Sequence, residues 1–149
     1  DRVAIFLAMQ ASESATHPRL ACGKLRIEHF DNNTCVVLVV LTWPQGEVFF
    51  GASEGDDSAT GQLGSTAKAT IRALEQAADH RVEFELEQVQ QVSEFDAVLA
   101  QVSISKPAGE HLRRLCGSCL TNGQPLHAAV KAVLNATNRL FERDFIYVH

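Results

Sequence analysis

The sequence predicts an α+β fold built by internal duplication of a β-β-β-α unit, with antiparallel sheets and two amphipathic helices. Three observations lead to this prediction. Apolar residues recur at helical spacing in two segments, and at an offset of 63 residues 67–73 (AKATIRA) aligns with 130–136 (VKAVLNA). Three runs with strand-like apolar patterning precede each segment. The length of 149 residues suits a single domain with a sizeable core.

The strands of the first unit are predicted from patterning between turn signals. Every second residue of 24–29 (KLRIEH) is charged, as in a strand with one face in solvent. The run 34–43 (TCVVLVVLTW) is almost continuously apolar and is therefore predicted to be a central strand. A third strand is expected over 47–53 (EVFFGAS). Turn-forming residues at 31–33 (DNN) and 44–46 (PQG) separate the three strands.

The second unit shows the same order of strands. Apolar residues stand among glutamates and glutamine over 82–89 (VEFELEQV), which again indicates a strand with a polar face. The next strands are expected over 97–104 (AVLAQVSI) and 111–119 (HLRRLCGSC), with a turn at 106–109 (KPAG) between them.

One amphipathic helix closes each unit, over 63–78 and 126–141. Both segments place apolar residues at the i, i+3, i+4 and i+7 positions of a single helical face. These faces are formed by Leu63, Ala67, Ile71, Leu74 and Ala78 in the first helix, and by Leu126, Ala129, Val130, Val133, Leu134, Thr137, Leu140 and Phe141 in the second. Three strands and one helix cannot bury both faces of a sheet, so the two units are expected to pack together.

The organisation follows from these elements. We predict one domain, 19–149, made of two repeats at about 19–79 and 80–142 with a short C-terminal tail. Residues 1–18 fall outside the repeat and are interpreted as an N-terminal extension or linker. Because the chain does not begin with Met, we expect it to be processed or part of a longer protein. The apolar start has no basic run before it, so no signal peptide is expected.

Charge and hydropathy disfavour two classes of partner. Thirteen Lys and Arg against eighteen Asp and Glu leave a net charge of −5, which opposes phosphate binding and makes nucleic acid an unlikely partner. The longest apolar run, 36–41, is far shorter than the roughly 20 residues that span a bilayer, so no membrane association is expected.

Four cysteines are too few for a disulfide scaffold in a chain of this length. Cys116 and Cys119 form a C-x-x-C motif, but the motif is predicted to end a strand, whereas a redox motif places its first cysteine at a helix N-terminus. Cys22 and Cys35 have no second close pair with which to bind zinc. We therefore predict buried or half-buried structural thiols, no metal, and a reducing, cytoplasmic compartment.

The stretch 51–61 (GASEGDDSATG) has the composition of a ligand-binding loop. We interpret it as a glycine-rich acidic loop before the first helix, with backbone N–H groups open to a ligand. Its carboxylates favour an ammonium group or a divalent cation, whereas the corresponding 117–125 is uncharged. A flexible acidic loop with a helix cap is the alternative interpretation. The candidate ligand-binding residues of the two stretches are Gly51, Ser53, Gly55, Asp56, Asp57, Gly117 and Ser118.

Catalytic patterns are absent from the sequence. The six histidines form no H-x-x-x-H or H-E-x-x-H motif, and Ser118 does not lie in a G-x-S-x-G motif. We therefore predict no catalytic residue and no cofactor, and an enzyme only if reactive side chains converge in space.

Three stretches carry a resemblance to a known family. They are 50–56 (FGASEGD), 116–118 (CGS) and 128–140 (AAVKAVLNATNRL). With the duplicated unit, they make residues 20–142 resemble the C-terminal regulatory domain of 2-isopropylmalate synthase and its citramalate synthase relatives. The resemblance implies dimerisation and binding of a pathway end-product amino acid near the paired loops. Here the first loop is longer and more acidic than the family pattern, and no catalytic barrel accompanies the domain.

These observations predict a non-catalytic regulatory module that forms a homodimer. It is expected to bind a small amino-acid-like effector, or to transmit regulation to a partner. The first alternative is a protein–protein assembly domain that uses Trp43, Phe49 or Phe50 as an apolar contact, although these aromatic residues are expected mainly in the core. A lesser alternative is a domain like those that bind double-stranded RNA, which the shortage of lysines at the first helix opposes.

Overall fold

The computed structural model describes residues 19–105 and 111–143. Its elements are β1 (Ala21–His29), β2 (Thr34–Thr42), β3 (Val48–Asp56), α1 (Ala59–Ala77), β4 (Glu83–Val92), a short 3-10 turn (Ser93–Phe95), β5 (Ala97–Ser105), β6 (His111–Leu120) and α2 (Pro125–Arg143). The predicted α+β class and the repeated β-β-β-α order are confirmed. The predicted extension at 1–18, the turn at 106–109 and the tail after residue 143 lie outside the described residues.

The strands form two antiparallel sheets of three strands each. Sheet A has the order β1-β2-β3 and sheet B the order β4-β5-β6, so β2 and β5 are the central strands. Each helix packs on the last two strands of its own repeat, contacts the first strand of the other repeat, and contacts the other helix. One hydrophobic core therefore combines the inner faces of both sheets with both helices.

Glycines set the distance between each helix and its sheet. A Cβ atom at Gly51 of β3 would overlap the carbonyl oxygen of Ala69 and lie 2.6 Å from the backbone nitrogen of Ala73, both on α1. A Cβ atom at Gly117 of β6 would likewise overlap the carbonyl oxygen of Ala132 on α2. In both repeats the helix backbone thus rests directly on the third strand, at a place where no side chain fits.

The two repeats also share the hydrogen bond that joins their first hairpin to the start of the helix. Asn33 and Asp96, which end the first turn of each repeat, both have left-handed backbone with φ values of 60° and 48°. The carbonyl of Asn33 accepts a bond from the backbone N–H of Asp57 at 2.9 Å, and that of Asp96 accepts one from Thr121 at 2.8 Å. The duplication therefore extends to individual backbone contacts.

The prediction that 51–61 forms an acidic loop is wrong. Strand β3 continues to Asp56, which pairs with Thr34 of β2, and α1 begins at Ala59. Only two residues connect the strand to the helix, and Ser58 caps the helix by accepting a bond from the N–H of Gly61 at 3.0 Å. Glycine, serine and aspartate are depleted in strands, so local composition indicated a loop where close helix packing requires small residues.

Candidate functional site

The candidate residues of β3 face the helix. Gly51 and Ser53 are buried, and a Cβ atom at Gly55 would overlap the hydroxyl oxygen of Ser65 on α1. Because side chains alternate along a strand, Gly51, Ser53 and Gly55 share the face that α1 covers. These three residues pack the helix against the sheet and present no open loop to a ligand.

The two candidate aspartates have different surroundings. Asp56 ends β3 with an exposed side chain, whereas the side chain of Asp57 is 19% exposed. The Asp57 carboxylate accepts bonds from Nδ1 of His29 at 2.8 Å and from Nε2 of Gln62 at 2.7 Å. The hydrogen bond from His29 lowers the pKa of Asp57, and that from Gln62 adds to the effect. The chain's own donors therefore occupy the carboxylate that was expected to bind an ammonium group.

The candidates of the second repeat lie on opposite sides of sheet B. Gly117 contacts α2 through its backbone, whereas Ser118 is exposed on the face turned away from the helices. On that outer face a depression of about 250 Å³ is lined by Gly117 and Ser118 together with other residues of all three strands. No residue of the first-repeat group lines it. The two groups of candidates thus do not form one site there.

Sheet A carries a surface that no element within 19–105 and 111–143 covers, and sequence reasoning only partly identified it. Its outer face, opposite the helices, presents apolar side chains from β2 and β3. We call this surface the apolar outer face; it consists of Val36, Leu38, Val40, Val48, Phe50 and Ala52. Phe50 is 52% exposed and Val48 is 46% exposed, while the three β2 side chains are half-buried.

The prediction that the aromatic residues lie in the core holds for two of the three. Trp43 is buried and Phe49 is half-buried against the core, but Phe50 lies on the apolar outer face. The signal for this surface was present in the unbroken apolar run of β2. An interior strand with apolar residues on both faces needs cover on both, and α1 supplies it on only one.

The cysteines form no redox pair. Cys116 and Cys119 are three positions apart on β6, so their Cα atoms are separated by roughly 10 Å, beyond the reach of a disulfide. All four cysteines are free thiols, and burial raises the pKa of Cys22 and Cys35. Cys116 departs from the expectation of buried or half-buried thiols, because its side chain is exposed.

No protein-family model and no curated protein matches this chain. Within 19–105 and 111–143, no group of three or more His, Cys, Asp or Glu residues is placed to hold a metal ion. Over the same residues, no helix is long and apolar enough to cross a membrane. The candidate functional surfaces are the outer faces of the two sheets.

Proposed function

We propose that this chain is a non-catalytic regulatory module that forms a homodimer through the apolar outer face of sheet A. The observation that supports this function is the exposure of Phe50 and Val48 beside the half-buried Leu38, on a sheet face that no described element covers. Contiguous apolar surface of this kind is typical of protein–protein contacts. A second copy of the chain is the partner that the charges of this face favour.

The two ends of the outer face of sheet A carry opposite charges. Three rows of paired residues cross it: Lys24–Val40–Phe50, Arg26–Leu38–Ala52 and Glu28–Val36–Glu54. A two-fold axis that runs along the middle row brings Leu38 opposite Leu38, and Lys24 of one copy opposite Glu28 of the other. The same axis brings the two Arg26 side chains together, and each lies 3.8 Å from Glu28 of its own copy. The basic end of one copy then meets the acidic end of the second, which favours this pairing over a shifted one.

Strand β2 connects this interface to the core. Val36, Leu38 and Val40 of this strand belong to the apolar outer face, whereas Val37 and Val39 between them are fully buried on the helix side. A change in how two copies pack therefore shifts β2 and alters the packing of the core side chains on its other face. This gives the module a physical route for transmitting regulation. Four free thiols suit the reducing cytoplasm, where we expect the module to act.

The test is the molar mass of the chain in solution. Light scattering coupled to size-exclusion chromatography is expected to give a dimer for the wild type and a monomer for Leu38→Lys, because burying the lysine charges at the two-fold is costly. Phe50→Glu, at a more exposed position, is expected to act in the same way without disturbing the core. Leu99→Lys is the matched control and is expected to stay dimeric. Leu99 lies on the outer face of sheet B and is about as exposed as Phe50.

A wild type that stays monomeric at about 100 μM, where a dimer held by about 5.5 kcal/mol would already form, would contradict the homodimer. Retention of the dimer in both Leu38→Lys and Phe50→Glu would locate the interface elsewhere. Circular dichroism of each variant shows whether the fold is kept.

Binding of a small effector is the second candidate function. The observation that favours it is the depression on sheet B, which contains the candidate residues Gly117 and Ser118. Its amide and hydroxyl groups differ from the carboxylates expected for the acidic loop.

A further inference from the structure

The depression on the outer face of sheet B is built from two adjacent rows of side chains. The rows, read across β4, β5 and β6, are Gln88–Gln101–Cys116 and Gln90–Leu99–Ser118. A β-bulge shifts the register of β4 between Leu86 and Gln88, immediately before the first row. Bulges bend and twist a strand and often re-aim side chains next to binding sites.

Hydrogen bonding orients the polar groups of these rows. Nε2 of Gln88 donates to Oε1 of Gln90 at 2.7 Å. The remaining groups of this pair are the carbonyl oxygen of Gln88 and the amino group of Gln90, an acceptor and a donor on neighbouring side chains. Gln101 and Ser118 add an amide and a hydroxyl around Leu99, which is 46% exposed. An apolar floor with a few convergent polar groups is the usual composition of a small-molecule site.

Among residues 19–105 and 111–143, no charged side chain lines the depression. In the neighbouring row, Glu85–Ser103–Arg114, the arginine is paired with Glu87: Oε1 of Glu87 accepts a bond from Ser103 at 2.7 Å, and Oε2 lies 3.6 Å from Nε of Arg114. A ligand with a net charge would lose its hydration here without gaining a counter-charge. The depression therefore favours a neutral ligand over a free amino acid held by its ammonium and carboxylate groups.

The corresponding rows of sheet A have different chemistry. Leu99 and Gln101 of β5 follow Val36 and Leu38 of β2 by 63 residues. The rows through Val36 and Leu38 are Glu28–Val36–Glu54 and Arg26–Leu38–Ala52. Three charged positions of sheet A are thus occupied by two glutamines and a serine in sheet B. The same framework carries a charged, apolar surface on one sheet and a neutral hydrogen-bonding surface on the other.

We infer that the outer face of sheet B binds a small uncharged ligand that presents a hydrogen-bond donor and acceptor side by side on a planar edge, as a carboxamide or a nucleobase does. Glutamine side chains bond such edges through two parallel hydrogen bonds. Leu99 contacts the flat face of the ligand, while Gln90, Gln101 and Ser118 bond its edge. The inference deepens the regulatory function proposed above by giving the effector a chemical class.

The test is a titration of the ¹⁵N-labelled chain, followed by NMR, with three probes. Nicotinamide supplies a carboxamide, uracil supplies a nucleobase edge, and nicotinate replaces the carboxamide of the first probe by a carboxylate. We expect saturable shifts of the backbone and side-chain amides of the two rows with nicotinamide, with uracil, or with both, and much weaker shifts with nicotinate. A response to only one of the two neutral probes shows whether the site binds a carboxamide or a nucleobase.

Substitutions in the two rows test whether the NMR shifts arise from binding in the depression. Gln101→Leu and Ser118→Ala are each expected to weaken binding by about two- to tenfold, the effect of losing one hydrogen bond in a small ligand site. Gln45→Leu, in the exposed turn before β3, is the control and binds like the wild type. The dispersion of the same spectra shows that each variant is folded.

Three results would overturn the inference: no saturable shift with either neutral probe, equal binding of nicotinate, or shifts outside the two rows. The monomeric Leu38→Lys variant is titrated in parallel. If it binds while the wild type is a dimer, the site is independent of the interface. If the wild type is monomeric yet binds nicotinamide or uracil, only the homodimer proposal fails.

Discussion

At the scale of single residues, the Asp57 carboxylate joins separate parts of the first repeat. His29 at the end of β1 and Gln62 in the first turn of α1 both donate to it, and its own backbone N–H donates to Asn33 in the first turn. These bonds favour the charged carboxylate, which is why the pKa of Asp57 lies below its ordinary value. The residue expected to bind an effector instead fastens the β1–β2 hairpin to the helix.

This contact makes part of the stability depend on pH. A carboxyl whose pKa is lowered by folding stabilises the native state above its unfolded pKa of about 3.9, and this contribution is lost as the pH falls through the folded value. We expect Asp57→Asn to be less stable than the wild type at pH 6, and the difference to shrink progressively on acidification below about pH 4. Urea denaturation between pH 3 and 7 measures both curves.

Asp31→Asn is the control for this prediction, because Asp31 is exposed in the β1–β2 turn. Its stability is expected to run parallel to that of the wild type over the same range. A difference between Asp57→Asn and the wild type that stays constant with pH would contradict the role assigned to the charged carboxylate.

At the scale of elements, the contact between α1 and β3 depends on a missing side chain. We predict that Gly51→Ala lowers the free energy of unfolding by about 2–4 kcal/mol, because its methyl group overlaps the helix backbone and forces α1 away from the sheet. Gly64→Ala is the matched control: Gly64 lies in α1 with nothing within 4 Å of an added Cβ atom. That change is expected to stabilise by roughly 0.5–1 kcal/mol through helix propensity. Urea denaturation of both variants measures these free energies. Equal changes in Gly51→Ala and Gly64→Ala would contradict the role of Gly51 in helix packing.

Each helix also protects one edge of its sheet. Strand β3 is an edge strand, and its backbone N–H at Phe50 donates to Oε1 of Gln76 at 2.7 Å, while Arg72 donates to the carbonyl of Ala52. In the second repeat, Nδ2 of Asn135 donates to the carbonyl of Ser118 at 2.8 Å. Polar side chains of the helices thus satisfy edge groups that would otherwise template pairing with another strand.

The elements themselves were predictable because their hydrophobic periods are clear. Strand β2 and the two helices follow their predicted positions closely, and only the ends differ. The stretch around Gly55 was misread because a strand that supports a helix backbone needs small residues, and small residues also form loops. Likewise, Gln88 and Gln101 were not singled out, since their meeting depends on a β-bulge and on strand register, which are tertiary properties.

At the scale of the whole molecule, neither repeat encloses a core by itself. Helix α1 contacts β4 of the second repeat, and α2 contacts β1 of the first. A destabilising substitution in one repeat is therefore expected to destabilise both repeats, which unfold in a single cooperative transition.

The single tryptophan makes this cooperativity measurable. Trp43 is buried at the end of β2, in the first repeat, so its fluorescence reports on that repeat. We predict that Gly117→Ala, in the second repeat, lowers the urea midpoint seen by Trp43 fluorescence as much as the midpoint seen by circular dichroism. An unchanged fluorescence midpoint together with a two-step circular dichroism curve would show that the repeats unfold separately.

The alternation of side chains along β5 has a practical consequence. Val98, Ala100 and Val102 point into the core and are fully or almost fully buried, while Leu99 and Gln101 between them point outwards. Outward residues can therefore be exchanged in blocks while the inward ones are left untouched. The protein can therefore serve as a scaffold for grafting. Rows of three residues on an outer face can be substituted to bind a new molecule, while the helices packed on Gly51 and Gly117 hold the sheets in place.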